Sequence, residues 1–171
     1  MPQRLSDLTI IIRGAGEMAT GTAVRLHRCG FTRIFMTEIP CPLAVRRLVS
    51  FSEAVYDGTC TVEGVRAVKV DAPEEAEGLW EKRVIPVYVD PTNSARAVLR
   101  PDVVVDGILA KKNLGTLLDH ARLVIGLGPG FSAGRDVHYV VETNRGHNLG
   151  RLISEGEAAP DTGVPGDIGG E

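Results

Sequence analysis

Short apolar runs and stretches with helical spacing alternate along the chain. The first run, residues 8–13, is rich in β-branched side chains, and apolar residues then recur every three or four positions from Met18 to Cys29. Such a run predicts a strand buried on both faces, and the spacing after it predicts an amphipathic helix. Gly30 follows directly, where helices commonly end on a glycine. The chain therefore begins with a predicted strand–turn–helix unit.

The same alternation continues to about residue 125. Further strands are predicted at residues 33–37, 84–89, 102–105 and 122–125. Helical segments are predicted at residues 44–49, 51–57, 73–82 and 94–99. Strands that alternate with helices are typical of α/β proteins. The expected fold is therefore α/β, a Rossmann-like, mostly parallel sheet with helices on both faces.

Two segments depart from this alternation. Apolar and polar residues alternate on both sides of Glu63 and Gly64, which predicts a β-hairpin insertion near residues 59–70. Residues 136–143 alternate again, and residues 149–153 could be their partner after a turn. An antiparallel pair of strands is therefore expected near the C-terminus.

Length and composition indicate one domain. The chain has 171 residues and a mass of 18.3 kDa, which is enough to bury a core without disulfides. Beyond residue 155 the sequence is rich in Gly, Pro, Ala and Asp. We therefore predict a domain at residues 1–155 and a linker or tail at residues 156–171, which could be the stub of a longer chain.

Charge and cysteine content narrow the possible partners. The formal net charge is −3, without the basic patch that nucleic-acid binding needs. No apolar run approaches the roughly 18 residues of a membrane helix, and the N-terminus lacks the apolar stretch of a signal peptide. Cys29, Cys41 and Cys60 are odd in number and show no CxxC spacing. We expect a cytoplasmic protein that binds neither nucleic acid nor membrane.

The first predicted turn has the glycine spacing of a dinucleotide-binding site. Gly14, Gly16 and Ala19 follow the first strand and open the first helix. In such sites the first glycine permits a tight turn, the second lets backbone N–H groups approach a pyrophosphate, and the third small residue allows close packing. Glu38, roughly 20 residues further on at the end of the second strand, could bind the ribose hydroxyls. The alternative is a glycine turn that serves only the fold.

The expected phosphate contacts surround this turn, because the N-terminus of a helix favours an anion. They are Arg13, Gly14, Ala15, Gly16, Glu17 and Met18. Arg13, at the carboxyl end of the first strand, could pair with a phosphate or with a carboxylate.

Other candidate contacts lie at the carboxyl ends of later strands, where open α/β sheets bind ligands. One loop contributes these polar residues: Asp106, Lys111, Lys112, Asn113 and Thr116. The loop at residues 126–134, with Gly128 and Gly130, could form an anion-binding nest of N–H groups or serve only as a wide turn. Arg46 and Arg47 could reach a phosphate or lie on a solvated helix face.

A polar cluster occupies the strand predicted at residues 136–143. Asp136, His138 and Glu142 are spaced to share one face of that strand. Such a face is compatible with metal binding or acid–base chemistry, and a solvent-facing strand would show the same pattern. No metal ligand is assigned. The turn that follows adds three candidate contacts: Asn144, Arg145 and His147.

Five sequence blocks together resemble one family. They are residues 13–21 (RGAGEMATG), 36–47 (MTEIPCPLAVRR), 106–113 (DGILAKKN), 124–131 (VIGLGPGF) and 142–150 (ETNRGHNLG). The chain resembles the YqeB-type proteins of the selenium-dependent molybdenum hydroxylase system over nearly its whole length. The resemblance implies an accessory protein for maturing a molybdenum hydroxylase, with a Rossmann-like domain related to the XdhC-type cofactor chaperones. It assigns no catalytic residues and implies a further C-terminal segment.

The preferred hypothesis is an accessory factor that binds an NAD-like nucleotide or a pterin dinucleotide beside the glycine turn. One alternative is an NAD-dependent oxidoreductase, in which His138, His147 or Lys111 would transfer the proton. Another is a non-catalytic interaction module with a vestigial nucleotide site. The candidate partners are the small-molecule cofactor, a molybdenum hydroxylase and a second copy of the chain.

Overall fold

The structure, a computed structural model, describes residues 4–160. Within this range the chain forms a nine-stranded sheet and a two-stranded sheet. The strands are β1 (Thr9–Arg13), β2 (Arg33–Glu38), β3 (Thr59–Val62), β4 (Val65–Val70), β5 (Ile85–Val89), β6 (Val103–Asp106), β7 (Leu123–Leu127), β8 (Ser132–Ala133), β9 (Tyr139–Val141), β10 (Leu152–Ile153) and β11 (Gly156–Glu157). The α-helices are α1 (Glu17–Arg28), α2 (Ala54–Asp57), α3 (Ala76–Trp80) and α4 (Ala95–Leu99). Short 3₁₀ turns lie at Leu5–Asp7, Arg47–Val49, Phe51–Glu53, Pro73–Glu75 and Leu118–His120.

The strand β1 lies at the centre of the nine-stranded sheet. The order is β10-β9-β7-β6-β1-β2-β5-β4-β3. The strands from β9 to β4 are parallel, whereas β3 and β10 at the two edges are antiparallel to their neighbours. After β1 the chain moves to β2 on one side, and after β6 it moves to β7 on the other side. The direction of winding therefore reverses between β1 and β6, the point where open α/β sheets bind ligands.

The composition of β1 explains its central position. All five of its residues are buried, and alternate side chains face opposite sides of the sheet. Ile10 and Ile12 belong to the core that includes Ala23 of α1. Ile11 belongs to a second core, which includes Trp80 of α3. Since both faces of the sheet are covered, its central strands are apolar on both.

The predicted α/β class, with a large and mostly parallel sheet, is confirmed. The predicted hairpin is present, and its turn residues Glu63 and Gly64 have φ values of 49° and 80°. Its second strand pairs in parallel with β5, so the hairpin extends the main sheet. The expected C-terminal pair is present as well, with Leu152 opposite Val141 in antiparallel register.

Three predicted elements are shorter in the structure. Residues 44–49 contain only a 3₁₀ turn, and Val45 and Leu48 are 91% and 92% exposed. A short helix needs a buried apolar face to be stable, and this segment buries none. Residues 73–82 form a 3₁₀ turn followed by α3, and the strand predicted at residues 136–143 is reduced to β9.

The described fold continues past residue 155, where the sequence predicted the tail to begin. The strand β11 pairs with β8, and Ala158 is buried in the core. The backbone N–H of Ala159 donates a hydrogen bond to Glu142 at 2.7 Å. Residues 161–171 of the predicted tail lie outside the described residues. Within residues 4–160 no helix combines the length and apolar character that crossing a membrane requires.

Candidate functional site

A cleft of about 330 Å³ opens at the carboxyl ends of β1, β2 and β6. Its walls come from three segments: the turn after β1, the loop after β2 and the loop after β6. Among the residues that line it are Gly14, Gly16, Glu17, Met18 and Glu38, all predicted from the sequence as ligand contacts. The structure therefore brings together the predicted residues of the first glycine turn and the predicted acid.

The two glycines of the turn have different environments. Gly14 has φ +88°, and a Cβ there would lie 3.2 Å from backbone atoms of Gly107. Gly107 in turn lies against α1, since its own Cβ would be 3.0 Å from that of Ala19. A Cβ on Gly16 would meet nothing within 4 Å. Gly14 is thus required by the fold, whereas the space beside Gly16 is open.

The N-terminus of α1 faces the cleft without a side-chain cap. Gly16 is the N-cap residue, and the first helical hydrogen bond runs from the Thr20 N–H to the Gly16 carbonyl at 2.8 Å. The N–H groups of Met18 and Ala19 precede that bond, so they have no acceptor within the helix. Free N–H groups at a helix N-terminus are suited to an anion.

Glu38 lies directly against the glycine turn. Its carboxylate accepts hydrogen bonds from the N–H groups of Ala15 and Ile39, both at 2.8 Å. The N–H of Ala15, expected to face a phosphate, is therefore occupied by a side chain of the protein itself. A phosphate at this turn would have to use the later N–H groups or displace the carboxylate.

Glu17 holds the loop after β2 near the turn. Its carboxylate accepts a hydrogen bond from the N–H of Arg46 at 2.8 Å. The pKa of Glu17 is lowered by its own backbone N–H and then by that of Arg46. The Arg47 guanidinium pairs with Glu53 at 2.5 Å, which raises the pKa of Arg47. The two arginines therefore do not act as one phosphate clamp: Arg46 contributes its backbone, and Arg47 has a carboxylate partner.

Arg13 and Asp106, both predicted as ligand contacts, form a buried ion pair. The Arg13 guanidinium lies 3.1 Å from the Asp106 carboxylate, and the two residues are 5% and 1% exposed. Thr116 donates to the same carboxylate at 2.6 Å and also contacts Arg13. Arg13 further donates to the carbonyl of Leu114 at 3.2 Å. Arg13 was expected to pair with a phosphate or a carboxylate, and in the structure it pairs with the carboxylate of Asp106. These contacts attach the loop after β6 to the end of β1.

The remaining polar residues of that loop serve the loop itself or are exposed. The Asn113 side chain accepts from the Thr116 N–H at 2.7 Å and donates to the Thr116 carbonyl at 2.8 Å. Lys111, with φ 61°, and Lys112 are exposed. None of these residues is among those that line the cleft.

The second glycine loop packs against its neighbours and does not form an open nest. A Cβ on Gly128 would lie 2.6 Å from the Thr143 hydroxyl, and one on Gly130 would lie 2.5 Å from the backbone nitrogen of Lys112. The glycines are thus explained by close approach of the chain. The interpretation as a structural turn fits this loop better than the anion-binding interpretation.

The polar cluster at residues 136–143 binds backbone groups. Each of three side chains accepts hydrogen bonds from N–H groups: Asp136 from Ser132 (2.9 Å), His138 from Val124 (3.0 Å), and Glu142 from Asn144 (2.8 Å) and Ala159 (2.7 Å). Within residues 4–160 no group of three or more His, Cys, Asp or Glu side chains could hold a metal ion. Asn144, Arg145 and His147 are exposed and do not line the cleft. The predicted common face does not form, because the strand begins only at Tyr139.

Several cleft residues were missed from the sequence. Gly107, Ile108 and Leu109 belong to the loop after β6, and Ile39 and Leu43 belong to the loop after β2. Ile108, Ile39 and Leu43 are 37%, 48% and 98% exposed, which gives the cleft an apolar rim. These residues lie within the sequence blocks that carry the family resemblance, which was the only indication of a role. The sequence of an apolar loop does not indicate whether its side chains face a cleft.

The fold and the cleft define an α/β protein with an open cleft beside its central strand. The chain is 52% identical to the uncharacterized protein YqeB of Escherichia coli (strain K12) over 161 residues. The match covers 94% of the chain and 30% of that protein, so the chain spans about a third of the relative's length. This similarity supports the name YqeB, which the resemblance of the sequence blocks had suggested. No protein-family model and no solved structure matches the chain.

Proposed function

We propose that the cleft binds the phosphate-bearing part of a dinucleotide-type cofactor, NAD-like or pterin-based, and that the protein is an accessory factor for a molybdenum hydroxylase. The observation that carries the first part is the uncapped N-terminus of α1, which opens at Gly16 onto a cleft of about 330 Å³. The second part rests on the YqeB-type resemblance. We also propose that the domain is Rossmann-like, because the winding reverses beside this turn.

The phosphate would lie at the start of α1, where Met18 lines the cleft and its N–H has no acceptor within the helix. This N–H is oriented by α1, whose 12 residues give the helix dipole its positive end at the turn. Gly16 leaves the approach open, because no atom lies within 4 Å of the position of a Cβ. The phosphate contacts thus come from backbone and need no basic side chain in the cleft.

Glu38 would bind a ribose hydroxyl. Its carboxylate can accept a hydroxyl group while it keeps the Ala15 N–H, because an ionised carboxylate has further free acceptor positions. The apolar rim of Ile39, Leu43 and Ile108 would then contact the flat ring of the cofactor.

The composition of the cleft favours a carrier over an oxidoreductase. Among the described residues that line it, the titratable ones are Glu17 and Glu38, and both carboxylates are bonded to backbone N–H groups. The proton-transfer candidates of the oxidoreductase hypothesis, His138, His147 and Lys111, do not line the cleft. Hydride transfer needs such a group beside the nicotinamide, so cofactor handling is the better-supported hypothesis.

The binding step is tested by thermal unfolding with NAD, NADP, ATP and molybdopterin dinucleotides. A ligand that binds the folded state raises the midpoint by mass action. Gly16→Val should abolish the shift, because its side chain would fill the open space beside the turn. Gly21→Ala is the matched control, since a Cβ at Gly21 in α1 also meets nothing within 4 Å. If none of these ligands changes the midpoint, the interaction module becomes the better hypothesis.

The accessory role requires a separate measurement. A molybdenum hydroxylase should be produced with wild-type protein, with Gly16→Val, and without the protein, and its cofactor content and activity compared. Full cofactor loading only with the wild type would support the role. Equal loading in all three preparations would reject it, whatever the cleft binds.

A further inference from the structure

A second cavity, of about 420 Å³, opens at the carboxyl ends of β4 and β5. The two strands are parallel neighbours with Val70 opposite Tyr88, so both end at the same edge of the sheet. This is the edge at which open α/β sheets bind ligands. The cavity shares no lining residue with the cleft beside the glycine turn, so it is a separate candidate site.

Apolar residues from three elements line this cavity. They are Val55 of α2, Val70 of β4 and Val89 of β5. Val55 and Val70 are buried in the cores on opposite faces of the sheet. The cavity therefore lies over the ends of the strands, between the two layers. An apolar group of a ligand would be removed from water against these valines.

Three polar groups line the same cavity without a partner in the described part of the chain. They are the ammonium of Lys69, the carboxylate of Asp71 and the hydroxyl of Tyr88. None of the three makes an ion pair or a hydrogen bond within residues 4–160. A few polar groups that converge on an apolar cavity are typical of small-molecule sites.

The surrounding structure holds these side chains in position. Lys69 belongs to β4, which is paired with β5. The N–H of Asp71 donates a hydrogen bond to the carboxylate of Glu75 at 2.9 Å. The ring of Tyr88 packs against Phe35, with 6.2 Å between the ring centroids. A ligand would therefore meet groups whose backbone is already ordered, which lowers the entropic cost of binding.

The two opposite charges specify the class of ligand. Lys69 and Asp71 are two positions apart in the chain, so their Cα atoms lie at most about 7 Å apart. One small molecule can therefore contact both side chains. The Asp71 carboxylate would repel an anion and the Lys69 ammonium would repel a cation, whereas a zwitterion pairs with both. We propose that this cavity binds a free α-amino acid with an apolar side chain.

Each unpaired group has a role in this complex. The Lys69 ammonium binds the carboxylate of the amino acid, and the Tyr88 hydroxyl donates to the same carboxylate. The Asp71 carboxylate accepts hydrogen bonds from the ammonium of the amino acid. The apolar side chain of the ligand lies against Val55 and Val89. This site does not depend on cofactor binding in the cleft beside the glycine turn.

The test is a calorimetric titration of the protein with leucine. Leucine should bind saturably to the wild type and equally to Gly16→Val, in which the other cleft is blocked. Lys69→Gln and Asp71→Asn should each weaken binding by about tenfold, as expected for the loss of a hydrogen bond between charged groups. Both side chains are exposed, so these variants should keep the thermal stability of the wild type. Lys82→Gln and Glu74→Gln, at exposed positions outside the cavity, are the matched controls.

Two analogues of leucine assign the contacts. Leucinamide lacks the carboxylate, so Lys69→Gln should not weaken its binding further. Isocaproate lacks the ammonium, so Asp71→Asn should not weaken its binding further. Glycine should bind more weakly than leucine, because it leaves the apolar wall without a contact.

Three results would overturn the proposal. Leucine that does not saturate the wild type would show that no amino-acid site exists. Leucine binding that is as tight in Lys69→Gln and Asp71→Asn as in the wild type would place the site elsewhere. A loss of NAD affinity in Lys69→Gln, with no leucine binding by the wild type, would assign the cavity to the cofactor.

Discussion

The carboxylate of Glu38 is hydrogen-bonded to the backbone N–H of Ala15 at 2.8 Å. The strands β1 and β2 are parallel neighbours with Arg13 opposite Thr37, so the last residue of β2 stands beside the turn that follows β1. A negative charge therefore lies at the edge of the space where the turn would receive a phosphate. The cleft can accommodate both groups only if the phosphate lies further along α1, next to Met18.

This arrangement predicts that NAD binds more tightly than NADP. The 2′-phosphate of NADP would meet the Glu38 carboxylate, and like charges at close range repel. Glu38→Gln keeps the shape of the side chain and removes the charge, so it should reduce the preference by about tenfold, or about 1.4 kcal/mol. Calorimetric titration of both nucleotides measures this. Glu81→Gln, at an exposed position, is the control, and equal wild-type affinities for NAD and NADP would show that Glu38 does not contact the ribose.

Substitutions of three glycines should show which of them the fold requires and which only leave space for a ligand. Gly14→Ala should lower the free energy of unfolding by about 1–3 kcal/mol, because φ is +88° and the new Cβ would lie 3.2 Å from Gly107. Gly21→Ala should raise it by about 0.5–1 kcal/mol, because glycine is unfavourable inside a helix. Gly16→Ala should change it little. Urea unfolding measures all three, and equal effects at Gly14 and Gly16 would mean that the turn relaxes to admit a side chain.

The strand, the glycine turn and the acid at residue 38 could be predicted because each depends on local chemistry. The apolar run fixes β1, the positive φ after it favours a glycine at Gly14, and the length of β2 fixes the position of Glu38. The hairpin was predicted for the same reason, since Glu63 and Gly64 form its turn.

The rest of the site depends on contacts between distant segments. Gly107 meets the glycine turn because β6 pairs with β1, and the sequence does not state which strands are neighbours. The polar pattern at Asp136, His138 and Glu142 also could not be interpreted from the sequence alone. A carboxylate that binds a backbone N–H and one that binds a ligand leave the same pattern in the sequence, and here the backbone is the partner.

Single substitutions of the buried pair Arg13 and Asp106 should lower the free energy of unfolding more than the double substitution does. Asp106→Asn or Arg13→Met alone leaves one charge buried without its partner, which should cost about 3–5 kcal/mol of unfolding free energy. The double variant Arg13→Met/Asp106→Asn should recover much of that loss, because it leaves no unpaired charge in the core. Urea unfolding of the four proteins forms a double-mutant cycle. Strictly additive losses would show that the two side chains do not stabilise each other.

The stability of the C-terminal strands should depend on pH through Glu142. Burial alone would raise the pKa of Glu142, but the hydrogen bonds from the N–H groups of Ala159 and Asn144 outweigh it, so the pKa is lowered. A carboxyl whose pKa is lower in the folded state adds stability at pH values above its unfolded pKa of about 4.3, and this stability is lost as the pH falls through the folded value.

Glu142→Gln should therefore be less stable than the wild type by about 1.5–3 kcal/mol at neutral pH, as expected for hydrogen bonds to a charged group. The difference should shrink as the pH falls below about 4. Urea unfolding across the pH range measures it, with the exposed Glu155→Gln as the control. A difference that stays constant with pH would mean that the carboxylate charge does not hold Ala159 and Asn144 in place.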